Sequence, residues 1–581
     1  MLKNKAKMNL LILLIALLFT GISSAFAQST SATLSGNVKD ERDAVVSDAT
    51  VTVSNTAIGF QRTVTTNESG EFSVPLLPPS TYLVTINRSG FAPFEARDVV
   101  LNANDQRSLQ VQLKVGAVGA TVQVEADANT IKESPAVSTT IDRTFVSNLP
   151  LNGRSIQTLI SLSPGVVAVP VAQNGGNQGQ FSVNGQRTNS NYVTVDGVSG
   201  NFSVTNFESL GQNGSGSIPA TNIQGGFSNL ASVDALQEFT IQTSTFAPEF
   251  GRSPGGQISL VTRSGENKFH GNLFEYVRND VFDARDFFDA RKPALRFNNF
   301  GGTFGGPVVI PGFGEGTPLF HVLKDKTFFF FSYEGQRFLL PQPTITTTVP
   351  SLAARQNAPN EVARAILNAF PLPNGAEIRN AAGALTGGAL FSTTFSNPTN
   401  SDAWGVRLDH NINKNFTLFG RYNYSPSESK GRSTSSTSNP SSFSVNTQKT
   451  EKLILGSTQV ISTKLVNEIR ADSSRQEGLA NSGFDGFGGG VLPPTSIFLP
   501  EGLGTQRRYS FFPVTDVFGT YTYGDVVKNE NRQLQFVDNL SYNIGSHQLK
   551  FGGDYRRLTP TVGANDLIES ILTRSLQNVY N

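Results

Sequence analysis

The chain has 581 residues, with 46 Lys and Arg against 45 Asp and Glu and no Cys at all. The near-neutral balance speaks against nucleic-acid binding, the missing Cys excludes disulfides and thiol chemistry, and the length leaves room for several domains. Hydrophobic residues make up 38%, and after residue 19 no run approaches the roughly 20 apolar residues of a spanning helix. High Gly (55) and Phe (43) without such runs is compatible with a membrane β-barrel.

The chain opens with Lys3, Lys5 and Lys7, an apolar stretch Leu10–Phe19 and the small-residue exit Ala25-Phe26-Ala27. That is the pattern of a cleaved secretory signal over residues 1–27, too short to span a membrane. From Ser31 to about Val115, short alternating strands stand between turn residues. They include Thr33–Val38, Ala49–Val53, Glu71–Val74 after Asn67-Glu68-Ser69-Gly70, and Tyr82–Ile86 after Pro78-Pro79. Such spacing predicts a small β-sandwich over residues 28–116. The order G-x-V-x-D, A-x-V-x-V, G-x-F, PP-x-x-Y and Gly90-Phe91 resembles the carboxypeptidase regulatory-like domain. The resemblance implies a prealbumin-like sandwich with a carbohydrate-binding-like fold. Two departures are Ala44, where a turn Gly is usual, and Ser80 in place of the Gly of PPGxY.

The resemblance does not imply an enzyme. A zinc peptidase needs two His and a Glu around an open metal position. Here His270, His321, His410 and His547 are scattered, so no metal and no cofactor are expected. Gly251-Arg252-Ser253-Pro254-Gly255 fits the G-x-S-x-G nucleophile elbow, but Pro254 stands where the helix should begin and no hydrophobic strand feeds the turn. It reads as a structural Gly-rich turn.

Residues 117–128 form a linker containing the β-prone Ala120–Ala126. This segment is open to two readings. It is the last strand of the sandwich or a plain connection, or it is a peptide offered to the sheet edge of a partner, bound through main-chain hydrogen bonds. Residues 129–265 are a mixed α+β segment: helices over Asp142–Asn148 and Ser155–Leu162, strands over Phe181–Arg187 and Tyr192–Val198, with Asn184-Gly185 and Asp196-Gly197 as turn signals. A Gly/Asn/Ser-rich loop (199–230) follows, and Leu236–Gln242 and Gly256–Thr262 complete a small sheet.

LPLNGRS (149–155) with SPGV (163–166), VNGQR (183–187) with VDGV (195–198), and EFGRSPGGQISLVTRSGENKFHGNLFEYVRND (249–280) stand in one order. Together they resemble the plug and first barrel strands of TonB-dependent receptors, specifically the Oar-like group with an N-terminal regulatory-like domain. The resemblance implies a plug inside an outer-membrane barrel. It also implies a short segment before the plug, the TonB box, that pairs with a TonB-type energy-transducing periplasmic protein. Carried over, Thr121, Val122, Gln123, Val124 and Glu125 occupy the box position. Arg187, Asp196, Glu249 and Arg252 fall in the matching motifs, and an unpaired charge inside a barrel is costly. They are expected to pair with one another or with the wall, as a plug latch or as a static support.

From residue 266 the alternation becomes aromatic-ended. Candidate strands are Phe269–Arg278, Arg296–Phe304, Lys326–Glu334, Ala403–His410, Phe416–Tyr424, Lys452–Ser462, Leu465–Asp472, Arg532–Tyr542 and His547–Arg556. Tight turns at Asn411–Asn415 and Gly545-Ser546 alternate with long connections at 340–400 (with a helix near Glu361–Phe370), 425–448 and 474–525. Short turns on one side and long loops on the other suit an outer-membrane barrel in lipid, reached by export from a Gram-negative-type cell. These strands are too few for a plug-holding barrel, and two open edges in lipid together cost roughly tens of kcal/mol, so the sequence reads as C-terminally truncated. The expected architecture is mainly β: sandwich, α+β plug (129–265) and the first part of an antiparallel barrel (266–581). The expected function is uptake of an unidentified extracellular ligand, whether glycan, peptide or chelate. Alternatives are surface adhesion or protein export on the same scaffold, with sugar binding by the sandwich.

Overall fold

A computed structural model describes residues 30–572 apart from 117–121, 126–129, 134–135, 149–154, 170–178, 204–215, 247–248, 286, 288–291, 313–318, 433–437, 498–507, 513–517, 519–520, 546 and 564–567. The signal segment, Thr121 and most of LPLNGRS lie outside the described residues.

The N-terminal unit is a two-sheet sandwich. Its strands are β1 (Ala32–Asp40), β2 (Thr50–Asn55), β3 (Phe60–Thr65), β4 (Glu71–Leu77), β5 (Ser80–Asn87), β6 (Phe94–Leu101), β7 (Gln106–Leu113), β8 (Val122–Glu125) and β9 (Thr130–Lys132). One sheet runs β4-β1-β7-β9 and the other β3-β2-β5-β6-β8. Alternation sets the faces: Val51 and Val53 of β2 and Tyr82, Val84 and Ile86 of β5 point into one core with Leu34, Val74 and Leu109. Each such side chain contributes about 1.5–3 kcal/mol by leaving water. Tyr82 is wholly buried and its hydroxyl donates to the Pro78 carbonyl at 2.5 Å, which accounts for the Pro-Pro-x-x-Tyr spacing. Neither departure disturbs a turn. Asp43, one residue earlier, takes the left-handed conformation (φ 62°) that a Gly would otherwise supply at Ala44. Ser80 begins β5 opposite Leu101, and its hydroxyl accepts from Asn55 Nδ2 at 2.7 Å.

The second unit holds β10 (Val137–Asp142), α1 (Arg143–Asn148), α2 (Ile156–Ile160), β11 (Val166–Ala168), β12 (Phe181–Val183), β13 (Tyr192–Val195), β14 (Val198–Ser199), β15 (Leu236–Ser244) and β16 (Gln257–Thr262). Its main sheet is β10-β15-β16-β13-β14, with β13 and β16 parallel. Ser155 caps α2, its hydroxyl accepting from Gln157 N. Both turn signals hold: Asn184-Gly185 (φ 48°, 75°) and Asp196-Gly197 (φ 48°, 85°) have positive φ at both central residues, and the second closes a two-residue hairpin between β13 and β14. Val193, Leu236, Phe239 and Leu260 form the core, and Ile454 and Val537 of the surrounding sheet join it.

The remaining strands are β17 (His270–Asn279), β18 (Arg296–Pro307), β19 (Val309–Pro311), β20 (Phe320–Val322), β21 (Thr327–Pro341), β22 (Ile345–Pro350), β23 (Glu377–Arg379), β24 (Leu385–Thr393), β25 (Ser396–Asn413), β26 (Phe416–Gly431), β27 (Ser442–Val460), β28 (Leu465–Phe484), β29 (Arg508–Phe512), β30 (Tyr521–Ile544), β31 (His547–Val562) and β32 (Ile568–Leu572). The wall is an antiparallel series β17-β18-β21-β25-β26-β27-β28-β30-β31, and each member overlaps one of the strands read from the sequence. Several run further than expected. β27 takes in part of the supposed loop 425–448, and β28 and β30 extend into 474–525. The reason is physical: these outer halves are rich in Ser, Thr, Asn and charge, and a strand projecting beyond lipid needs no apolar face. The excursion at 340–400 is also more than a loop with one helix. Helices α3 (Leu352–Gln356) and α4 (Glu361–Asn368) pack on the sheet β22-β24-β23 around Val349, Leu367, Phe370 and Phe391.

Along the wall the usual inside-outside rule is reversed. On β28, Glu468, Arg470, Asp472, Ser474 and Gln476 are buried while Ile469 between them is exposed. On β27, Thr450 and Lys452 are buried and Leu453 and Leu455 exposed, and on β30, Gln533 and Gln535 are buried and Leu534 and Phe536 exposed. Apart from inward apolar residues such as Ile454 and Val537, polar groups face the enclosed unit and apolar ones face outward, which is the dyad of a strand in lipid. The sandwich sits at the short-turn end of the wall. Asn267 Nδ2 donates to Thr56 O (2.9 Å), Asn411 Nδ2 to Ile58 O (3.3 Å), Asn543 Nδ2 to Ser73 O (3.3 Å) and Ser31 Oγ to Glu468 (2.8 Å).

Candidate functional site

The β13–β14 turn carries Asp196 to the end of β16, because β13 and β16 run parallel in register with Val195 opposite Leu260. There its carboxylate accepts from Thr262 N (2.9 Å) and Thr262 Oγ1 (2.8 Å). From the wall, Arg407 of β25 and Arg421 of β26 approach it to 3.6 and 3.8 Å. Arg407 is itself held by Asp409 at 2.8 Å, also donates to the Thr262 carbonyl at 3.2 Å, and lies 4.5 Å from the centre of the Phe419 ring. Arg421 reaches on to Leu230 O at 2.6 Å. One buried carboxylate between a buried guanidinium, Arg421, and a partly buried one, Arg407, joins the enclosed unit to two wall strands.

A second cluster follows on the same hairpin. The Ser199 carbonyl accepts from Lys452 Nζ (3.0 Å) and Gln533 Nε2 (2.9 Å), and its amide donates to Gln535 Oε1 (2.8 Å). Lys452 pairs with Asp472 at 2.7 Å, both side chains having no exposure, and Ser474 and Gln533 bind the same carboxylate. Asn423 Nδ2 donates to Asn229 O (2.6 Å) and Gln476 Nε2 to Thr221 O (3.0 Å). The wall thus grips the enclosed unit through side chains, and the enclosed unit answers largely with main-chain carbonyls.

Of the sequence candidates, Asp196 is the centre of the first cluster. Arg252 pairs with Asp554 at 2.9 Å and Glu249 with Lys550 at 3.0 Å, both on β31. Arg187 is exposed and makes no ion pair among the described residues. The four do not pair with one another; three meet the wall at two separate places. Arg252 has a left-handed backbone (φ 68°) in the turn that resembles a nucleophile elbow. There the Ser253 hydroxyl donates to Ser190 O, and Gly255 approaches the same carbonyl so closely that a Cβ would lie 2.2 Å from it. Val122–Glu125 lies on the sandwich, parallel to β6.

Sequence reasoning did not find Arg407, Arg421, Lys452 or Asp472. Each is a charged residue at an inward position of a wall strand, where the alternation marks the face but not the partner. It also missed Glu238 of β15, which accepts from the Ala103 amide of the sandwich. Burial pushes the Glu238 carboxyl up to about 8; the Ala103 hydrogen bond opposes this, and Asp105 and Asp142 add to it.

The polar-in, apolar-out wall around a polar-bonded inner unit is matched by three family descriptions. The outer membrane beta barrel domain matches residues 261–361 and 356–566, the TonB-dependent receptor plug domain 130–256, and the carboxypeptidase regulatory-like domain 33–114. The chain belongs to the TonB-dependent receptor family. Its enclosed unit is the plug, and its wall is an outer-membrane barrel. A curated TonB-dependent receptor, the TonB-dependent transporter Oar of Myxococcus xanthus, is 30% identical over 329 residues, which is 54% of this chain and 27% of that one. Among solved structures, the outer membrane transporter YddB from Escherichia coli gives a TM-score of 0.47 at 14% identity over 73% of this chain and 48% of that one. The ferric enterobactin receptor PfeA from Pseudomonas aeruginosa gives 0.43 at 14% over 74% and 49%. The chain therefore spans about a quarter of the length of the curated receptor and about half that of the solved ones.

Proposed function

We propose that this receptor admits an extracellular ligand by rearrangement of its plug. In this reading a TonB-type periplasmic protein pulls on residues 121–125, and Asp196, Glu249 and Arg252 latch the plug to the wall. The observation that carries the reading is the polar plug–wall interface around Asp196. A plug sealed by apolar packing would be costly to separate, whereas charge pairs and carbonyl bonds can be exchanged for water as the plug moves. Catalysis has no place in it, because the one elbow-like serine spends its hydroxyl on a main-chain carbonyl. Pro at both Val122 and Val124 removes ladder donors and blocks strand addition. Uptake, screened over glycans and siderophores, is expected to stop in that variant while surface display and ligand binding persist. Unchanged uptake would remove the coupling assignment.

A second reading, adhesion or protein export, is favoured by one feature. The external excursion has a core of its own, with Leu367 and Phe370 buried between two helices and a three-stranded sheet, as a docking platform for a macromolecule would need. Deleting residues 345–393 separates the two: loss of cell attachment with uptake retained supports adhesion. Sugar binding by the sandwich rests on fold analogy alone.

A further inference from the structure

The linker lends one strand to a sandwich sheet, and the first residues after it lend a strand to the other. β8 lies parallel to β6, with Phe94 opposite Val122, Glu95 opposite Gln123, Ala96 opposite Val124 and Arg97 opposite Glu125. A few residues on, β9 runs antiparallel to β7, with Arg107 opposite Lys132 and Leu109 opposite Thr130, and Glu133 N donates to Gln106 O at 2.8 Å. Just before the linker, Val115 bridges to Phe91 and Ala92 N donates to Lys114 O at 2.9 Å. The open edges of β6 and β7, which would otherwise template association with other chains, are thereby covered.

β8 is also the segment assigned above to energy coupling. A strand that a partner takes by main-chain addition is here already held by main-chain addition. We propose that the β6 edge is a clasp for the coupling strand: the sandwich holds Val122–Glu125 at rest, and the TonB-type partner obtains them by strand exchange, leaving β6 bare. This rests on the coupling assignment of residues 121–125. The hold is short and exchangeable. β8 has four residues and pairs with β6 alone among the described residues, in the parallel geometry that is slightly less stable per residue. A partner that requires the released strand meets only the fraction of molecules in which β8 is off β6, and its apparent affinity falls by that fraction. β6 leads directly into the turn at Asn102–Asp105, where the Ala103 amide binds Glu238 of the plug. Clasp and plug contact therefore share one strand.

The chain has no Cys, so Glu95→Cys with Gln123→Cys puts a single thiol pair at opposed positions of adjacent strands, within disulfide range. In the full-length protein this pair is expected to oxidise, whereas Glu95→Cys with Ile131→Cys, on opposite sheets, is not. The oxidised protein should capture the purified C-terminal periplasmic domain of a TonB-type protein at least about tenfold more weakly than the same protein after reduction. Arg97→Cys with Glu125→Cys repeats the comparison at the other end of the strand. A pair that fails to oxidise, or equal capture before and after reduction, overturns the clasp. The variant with Pro at Val122 and Val124 separates the two claims. If it loses capture while locked and reduced proteins bind alike, the coupling segment stands and the clasp falls. If it captures the domain normally, the coupling assignment falls and takes the clasp with it.

Discussion

Asp196 shows how a turn preference becomes an interface. Its left-handed backbone (φ 48°) suits Asp or Asn before Gly, and the same short side chain then reaches Thr262 and two wall arginines. Asp196→Ala leaves Arg421 buried without its carboxylate and is expected to cost about 3–5 kcal/mol, read as faster protease cleavage of the plug in the membrane-inserted protein. Asp196→Asn keeps the turn and the Thr262 bonds and should fall between. Gly255→Ala should loosen the turn at 251–255, since its Cβ meets the Ser190 carbonyl; the test is earlier thermal loss of plug protection. Glu238 makes a pH-dependent contact. Its carboxyl is raised from the ordinary range near 4.5 to about 8, so docking is fully favoured below pH 4.5 and is lost as pH rises through 8. Protease access to the linker should increase between pH 6 and 9, and Glu238→Gln should flatten that profile. The Asp-Gly turn was legible in the sequence. Arg407 and Arg421 were not, because they stand more than 200 positions away and nothing local marks a lumen-facing arginine as the partner of a particular carboxylate.

At the scale of elements, the lipid-facing part of a strand is readable where outward apolar residues alternate with polar ones, as Leu534 and Phe536 do with Gln533 and Gln535. The external halves were not, since a strand with water on both sides carries no such signature, and β27 and β28 were read short for that reason. In the excursion between β21 and β25 only the helix near Glu361–Phe370 has a sequence signature, because the strands around it are short and one is threonine-rich. The buried Lys452–Asp472 pair tests what the wall strands do inside. Lys452→Met leaves Asp472 unpaired and should destabilise the plug-bearing state by about 3–5 kcal/mol, while Lys452→Met with Asp472→Leu should recover most of it. The measurement is the heat needed to unfold the protein in detergent; an equal loss in both variants would show that Ser199 depends on the charge and not on the packing.

Over the whole molecule, the order of sandwich, plug and barrel could be read from motifs, but not the seat of the sandwich against the short turns of the wall. That contact is made by Asn267, Asn411 and Asn543 with main-chain carbonyls of the sandwich, and isolated asparagines near turns are too common to signal anything. The grip between plug and wall also has a consequence for sequence drift. The wall contributes side chains, whereas the plug contributes the carbonyls of Ser199, Thr221, Asn229 and Leu230, which every residue type possesses. Tolerance should therefore be lopsided. In a saturation scan scored by surface display with an intact permeability barrier, Lys452, Gln476, Asn423 and Arg421 should accept few replacements, while Thr221 and the positions around it accept many. The plug's loops are free to vary in sequence as long as the barrel that holds them does not.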